Sequence, residues 1–200
     1  MKRMRFSILL LTVILALLLA GCGKKEEDRH PDWPGEWFRI HPDLGVETPE
    51  NFSLNESNDL MSVSGLYYAT WTTGEGREIK NPQGQDATVY DAQLYVLLKE
   101  CNTDKNANTD IADWMAREAQ SYEAGQELRL KAAGQTWRVM PLLAAKSENP
   151  YHHGTAAFAV RDGNAICVEL FCTEAWAGDP EAVLEAFLEG FHYGFGSDEP

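Results

Sequence analysis

The chain has no apolar stretch long enough to cross a bilayer. Its longest run, Ile8 to Ala20, is interrupted by Thr12 and falls short of the ~20 apolar residues that a spanning helix needs. Basic residues are few: 17 Lys and Arg stand against 31 Asp and Glu, a formal charge of −14. An acidic body repels the phosphates of DNA and RNA, so nucleic-acid binding is excluded as a function class. Only four cysteines and five histidines occur in 200 residues. No C-x-x-C or H-x-x-x-H spacing joins them, so no metal site and no cofactor is expected. Ser64-Gly65 lacks the preceding glycine of a G-x-S-x-G elbow, and a glycine-rich phosphate loop is missing. The chain also lacks internal repeats and long low-complexity tracts.

What is present at the start is informative. Lys2, Arg3 and Arg5 precede the apolar run, and Leu19-Ala20-Gly21-Cys22 closes it. A basic segment, a short apolar segment and small residues before a cut are the anatomy of a secretory signal. Small residues placed directly before a cysteine resemble the lipobox of bacterial lipoproteins. The resemblance implies cleavage between Gly21 and Cys22, a diacylglyceryl group on the Cys22 thiol, and the lipid bilayer as a partner. Residues 1–21 are then a signal peptide and 22–37 a lipid anchor and tether. Lys24 to Arg29 is charged throughout, and Pro31 and Pro34 oppose regular structure. Trp33 and Trp37 mark the entry to a globular part. The expected location is the extracytoplasmic face of the cell membrane.

Three cysteines remain, in a compartment where disulfides are permitted. Cys167 and Cys172 lie five apart on one expected strand, so they face opposite ways, roughly 16 Å apart. They cannot pair without breaking that strand. A bridge, if formed, includes Cys101, with Cys172 as preferred partner; three buried free thiols are the alternative.

Hydrophobic content of 44 % is enough for one domain with a core, placed at 38–195 with a frayed tail at 196–200. Ser62 to Thr72 is rich in β-formers, and Thr88 to Glu100 alternates with Tyr90, Ala92, Leu94, Val96 and Leu98 on one face. Thr73 to Asp86 between them reads as a long exposed loop. A further strand is expected near Val46 to Leu54. Asp110 to Glu123 reads as a helix capped by Asp110, with Ile111, Trp114, Met115 and Tyr122 on one face. Two hairpins follow, one about Ala133-Gly134 and one about Asp162-Gly163. Asp179-Pro180 opens a last helix with Val183, Leu184, Phe187, Leu188 and Phe191 as its stripe and Gly194 as its end.

Antiparallel strands with two amphipathic helices give an α+β class, a sheet sandwiched between helices. The run from Thr155 to Tyr193, an alternating hairpin feeding a C-terminal helix, together with the earlier strand–helix order, is similar to the PsbP-like (Mog-type) fold. That resemblance implies an α/β/α sandwich over most of residues 38 to 195. It brings no functional residue, because no diagnostic motif accompanies it.

Candidate chemistry is sparse. Asp104 to Asp110 imitates the start of a calcium loop, but Thr109 and Met115 stand where an EF-hand needs glycine and a carboxylate. A polar turn leading into the next helix explains it better. Tyr67, Tyr68 and Trp71 occupy both faces of one strand, so one of them is a candidate for an exposed stacking surface; the alternative is that all are core. Tyr151, His152 and His153 form a loop cluster that reads as a solvated turn or a ligand contact. The expected function is a membrane-anchored, non-catalytic binding or accessory module for an envelope protein, peptide or glycan. The alternative is an envelope hydrolase or metal-dependent enzyme using His152 and His153. A transporter's solute receptor is disfavoured, because such receptors need two lobes and a longer chain.

Overall fold

The computed structural model describes residues 37–58, 65–80 and 84–194. Gly21 and Cys22 of the expected lipobox, the expected tether with Trp33, and the expected tail from 196 lie outside the described residues.

The chain opens with three short strands, β1 (Trp37–His41), β2 (Leu44–Glu47) and β3 (Ser53–Ser57). Next come β4 (Leu66–Thr73), β5 (Arg77–Lys80), β6 (Asp86–Val89) and β7 (Ala92–Glu100). Helix α1 (Asp104–Ser121) leads into β8 (Tyr122–Ala124), β9 (Leu128–Ala132), β10 (Gln135–Ala145), β11 (His153–Arg161) and β12 (Asn164–Cys172). Helix α2 (Pro180–Glu189) and β13 (Phe191–Tyr193) finish the described fold. The main sheet has eight strands in the order β3-β4-β7-β12-β11-β10-β8, with β9 also paired to β10. Every pairing in it is antiparallel. β1, β2 and β13 form a second small sheet, and β5 with β6 a separate hairpin.

The alternation of the strands decides which helix each face receives. Tyr67, Ala69 and Trp71 of β4, with Leu94, Val96 and Leu98 of β7 and Ile166, Val168 and Leu170 of β12, pack with Leu184, Phe187 and Leu188 of α2. Ile40, Leu44, Val46 and Phe191 of the small sheet close this cluster. The residues between them turn the other way: Ala156, Phe158 and Cys167 pack with Ala107, Ile111 and Trp114 of α1. The fold is thus α+β, mostly antiparallel sheet with two helices.

Two turns follow from residues that tolerate left-handed backbone. Ala133 and Gly134 have φ of 49° and 70°, and Asp162 and Gly163 have 50° and 76°, the two-residue geometry whose twist suits a hairpin. Gly154 is required for another reason, since a Cβ there would lie 2.0 Å from the Leu170 carbonyl oxygen of the neighbouring strand.

Several boundaries differ from the sequence expectation. α1 begins at Asp104, six residues before the expected start, and Thr103 is its N-cap, accepting from the Asn106 amide. The calcium-like stretch is therefore helix: Asn108 and Thr109 donate to the carbonyls of Asp104 and Lys105 four residues back. Asp110 is mid-helix and binds Lys99 and the Cys101 thiol. The expected loop 73–86 carries β5 and the start of β6, and the expected strand 88–100 is split at Tyr90-Asp91. α2 stops at Gly190 rather than Gly194, so Phe191 packs from β13 and not from the helix. Asp179 and Pro180 stand as expected at its N-cap and first turn.

Cys101, Cys167 and Cys172 are free and buried, so the expected Cys101–Cys172 bridge is absent. Asn164 pairs with Glu100 at one end of β12 and Cys172 with Ala92 at the other, which separates the two thiols by roughly 26 Å along the strands. They also lie in clusters on opposite faces, beyond disulfide reach.

Candidate functional site

The expected ligand residues do not gather in one place. Trp71 is fully buried and Tyr67 is 8 % exposed, because both point to the α2 face. Tyr67 meets the His41 ring edge-on at 4.7 Å and sends its hydroxyl to Glu100 Oε1 at 3.5 Å. The same oxygen lies 3.2 Å from His41 Nε2, while His41 Nδ1 accepts from the Asp43 amide at 3.0 Å. Tyr67 is thus held by core contacts, and Trp71 is sealed beneath α2 with its indole Nε1 unpartnered, so neither is exposed for stacking and both leave the candidate set. Tyr68 points to the opposite face, half-exposed, with its hydroxyl on Glu56 Oε1 at 2.9 Å.

Tyr151 and His152 do meet a concave surface. The loop between β10 and β11 is closed by the Ala145 amide donating to the His152 carbonyl at 2.8 Å. Lys146 ties it to the end of α1 through the Ser121 and Ala119 carbonyls. Tyr122 accepts from Asn149 Nδ2 at 3.0 Å and donates to the Tyr151 carbonyl at 3.2 Å. The Tyr151 hydroxyl donates to Gln93 Oε1 at 3.0 Å and accepts from the Tyr90 amide at 3.4 Å. Its ring lies 6.3 Å from Phe171, which stacks on Tyr122. Burial raises the Tyr151 phenol above its usual range, so it stays neutral and serves as a fixed wall. A loop this thoroughly bonded is a preformed surface, as small-ligand sites usually are.

The facing wall is the β5–β6 hairpin. It leaves the sheet at Gly74, whose φ is +83° and where a Cβ would lie 2.3 Å from Asp91 Oδ2. Asp91 also ties the hairpin base, 3.5 Å from Arg77 and with its carbonyl accepting from Thr173. Between hairpin and loop runs an open groove of about 1040 Å³, lined by Ile79, Ala87, Val89, Glu148, Pro150 and Tyr151. A smaller recess of about 350 Å³ shares this rim and is lined by Arg77, Pro150, His152 and Glu174. His152 Nδ1 stands 3.3 Å from Glu174 Oε1, with both side chains largely in solvent. His153 instead opens β11, paired with Cys172, and does not line the groove. The histidine pair is split between rim and ladder. Among the described residues, no three His, Cys, Asp or Glu side chains converge as a metal site.

Sequence reasoning passed over a second cluster. Glu169 and Glu118 are 7 % and 5 % exposed. Arg117 lies between them, Nε to Glu118 at 2.9 Å and Nη2 to Glu169 at 3.0 Å. Burial, then the Glu118 charge, pushes the Glu169 carboxyl up to about 7 against the pull of Arg117. The neighbouring Cys167 thiol is raised well above its usual value by burial and by Glu169. The signal was there: an acid inside the apolar run from Ile166 to Cys172, and another on the α1 stripe after Ile111 and Trp114.

Comparison with known proteins adds a structural neighbour. No family model matches the chain, and no curated protein matches it. The solution structure of cyanobacterial PsbP (CyanoP) from Synechocystis sp. PCC 6803 is similar, at 11 % identity and a TM-score of 0.48 over 86 % of this chain and 100 % of that one.

Proposed function

We propose that the chain is a lipid-anchored extracytoplasmic module that binds a peptide or glycan without transforming it. In this reading Cys22 carries diacylglyceryl, the tether spans residues 22–37, and an α/β/α sandwich of the PsbP-like kind stands at the membrane surface. Two acyl chains make such an anchor stable where one is marginal. The observation that supports the binding role is the groove of about 1040 Å³ between the β5–β6 hairpin and the Tyr151 loop. Its floor and walls mix apolar side chains with Lys80, Lys146 and Glu148, a lining suited to a ligand with both kinds of surface.

Two measurements test this. Replacing Cys22 by Ala is expected to leave an unprocessed precursor or a released protein on cell fractionation; membrane retention at mature size sinks the anchor. For the groove, short peptides and cell-wall glycan fragments are titrated by amide NMR. Shifts are expected at residues 77–80, 87–89 and 145–152, and their absence across the panel sinks the site. The competing reading, a hydrolase using His152 and His153, has the His152–Glu174 contact in its favour. It requires turnover of an ester, peptide or glycoside that the H152A/H153A variant loses.

A further inference from the structure

α1 lies over β12, β11, β10 and β8, so it covers only part of its face of the sheet. Across the remaining strands one lateral row can be read from the registers. Glu56 of β3 pairs with Thr70 of β4, Thr70 with Tyr95 of β7, and Tyr95 with Glu169 of β12. Strands stand about 4.8 Å apart, so the two carboxylates rise from backbones roughly 14 Å apart with the Tyr95 phenol between them. Both charges act on that phenol, which burial and then Glu56 and Glu169 hold above its ordinary range. Tyr68, beside the row, presents a second phenol bonded to Glu56.

Charge and hydrogen bonding in this row are both incomplete. Three carboxylates, Glu56, Glu118 and Glu169, border this face, and Arg117 is engaged by two of them, Glu118 and Glu169. The nearby Lys99 is held by Asp110. Thr70 is 1 % exposed, and its Oγ1 has no hydrogen-bond partner. Alternation along β4 turns Thr70 to the same face as Tyr68, into the middle of the row. A buried hydroxyl without a partner is costly, so its retention between two acids and a phenol is an independent sign of a missing ligand.

We propose that the row Glu56–Thr70–Tyr95–Glu169 is a binding site for an organic cation, a primary ammonium or guanidinium group. Carboxylates supply the charge, the tyrosine rings supply π faces that attract a cation, and Thr70 supplies a hydroxyl acceptor. The site lies apart from the groove of the preceding section and does not depend on it.

The full chain is titrated with putrescine and, separately, with a short peptide carrying one lysine or one arginine, at fixed ionic strength. Amide shifts confined to residues 56, 68–70, 95 and 117–118 with 169 are expected for whichever source binds. Affinity is expected to fall about tenfold or more in E56Q and in T70V. Both variants leave the Arg117–Glu118–Glu169 cluster in place, so they remain informative if E169Q fails to fold. Binding is expected to weaken several-fold between about pH 8 and about pH 5.5, as Glu169 takes up a proton. The other groups facing it are Arg117 and Glu118 from α1, Cys167 from β12, Tyr95 from β7, and Glu56 with Tyr68 from β3 and β4. An equal response to sodium or calcium ions, or an unchanged affinity in both E56Q and T70V, overturns the proposal.

Discussion

The two faces of the main sheet are made by the same strands and could hardly differ more. On the α2 side the apolar surface is continuous from β4 through β7 and β12 to β10, and the small sheet closes it. On the α1 side it is apolar only beneath the helix; toward β3 it turns into Tyr68, Thr70, Tyr95 and Glu169. β7 shows the difference within nine residues: Ala92, Leu94, Val96 and Leu98 are buried, while Gln93, Tyr95, Leu97 and Lys99 are half-exposed. The α2 face carries the larger apolar core, and the α1 face a smaller one bordered by polar side chains. Truncation should expose this asymmetry most strongly at β4. Trp71, packed edge-to-face with Phe38 and Phe187, is expected to lose about 3–5 kcal/mol of stability as Trp71→Ala. Tyr68→Ala, three residues away on the other face, should cost less than about 1 kcal/mol. Comparable losses in urea denaturation would end the contrast.

The next largest effect concerns the acid on the α1 side. Glu169 has a folded pKa of about 7 against an ordinary 4.5, so the folded state holds its proton more tightly than the unfolded state does. Below about pH 4.5 the group is protonated in both states and costs nothing. As pH rises toward 7 the unfolded chain releases the proton first, and stability falls, by an amount on the order of 3 kcal/mol. Above pH 7 the loss is constant. Asp110 and Glu127 have lowered pKa values through Lys99 and Arg138, so their contributions are present at neutral pH and are lost only on acidification below the ordinary carboxylate range. The two windows do not overlap. Glu169→Gln should flatten the slope between about pH 5 and 7 in a melting series and leave the acid limb intact; an unchanged slope would assign that titration elsewhere.

How much of this could be read beforehand varied with the kind of signal. Strict alternation placed β7 with Ala92, Leu94, Val96 and Leu98 buried, although the strand breaks at Tyr90-Asp91, and left-handed turn residues placed both late hairpins. Asp179-Pro180 placed the start of α2, since a capping side chain and a proline act on the backbone next to them. Lost signals were those in which distant residues decide. Asp104 to Asp110 is polar enough to resemble a loop, yet Ala107 is buried and ties the first two turns of α1 to the sheet. The β5–β6 hairpin has short, mostly exposed strands, and its apolar face of Ile79, Ala87 and Val89 is too small to show a period. Its groove against Tyr151 depends on Gln93 and Tyr90, some 60 residues earlier in the chain. Tyr67 and Tyr68 are adjacent and chemically alike, and only the side of the sheet that α2 covers separates core from surface. Glu169 was legible as an oddity, but its partner Arg117 is 52 positions away.

The smallest effects bear on the helices that the two faces receive. Both N-caps accept backbone amide protons through a side-chain oxygen, Asp179 from Glu181 and Ala182, and Thr103 from Asn106. Replacing either by Ala is expected to cost about 1 kcal/mol. Asp110 offers a sharper discrimination, because a helix starting there would lose as much from Asp110→Ala. In the observed helix Asp110 is seven residues past the cap, and its side chain holds Lys99, which is 40 % exposed. Partly exposed ion pairs contribute only about 0–1 kcal/mol, and alanine offsets part of that loss through its higher propensity in a helix interior. Asp110→Ala should therefore cost a few tenths of a kcal/mol, well below Thr103→Ala. Equal losses in guanidinium denaturation would move the start of α1 back to Asp110 and leave its first two turns as loop, withdrawing Ala107 from the α1 side of the core.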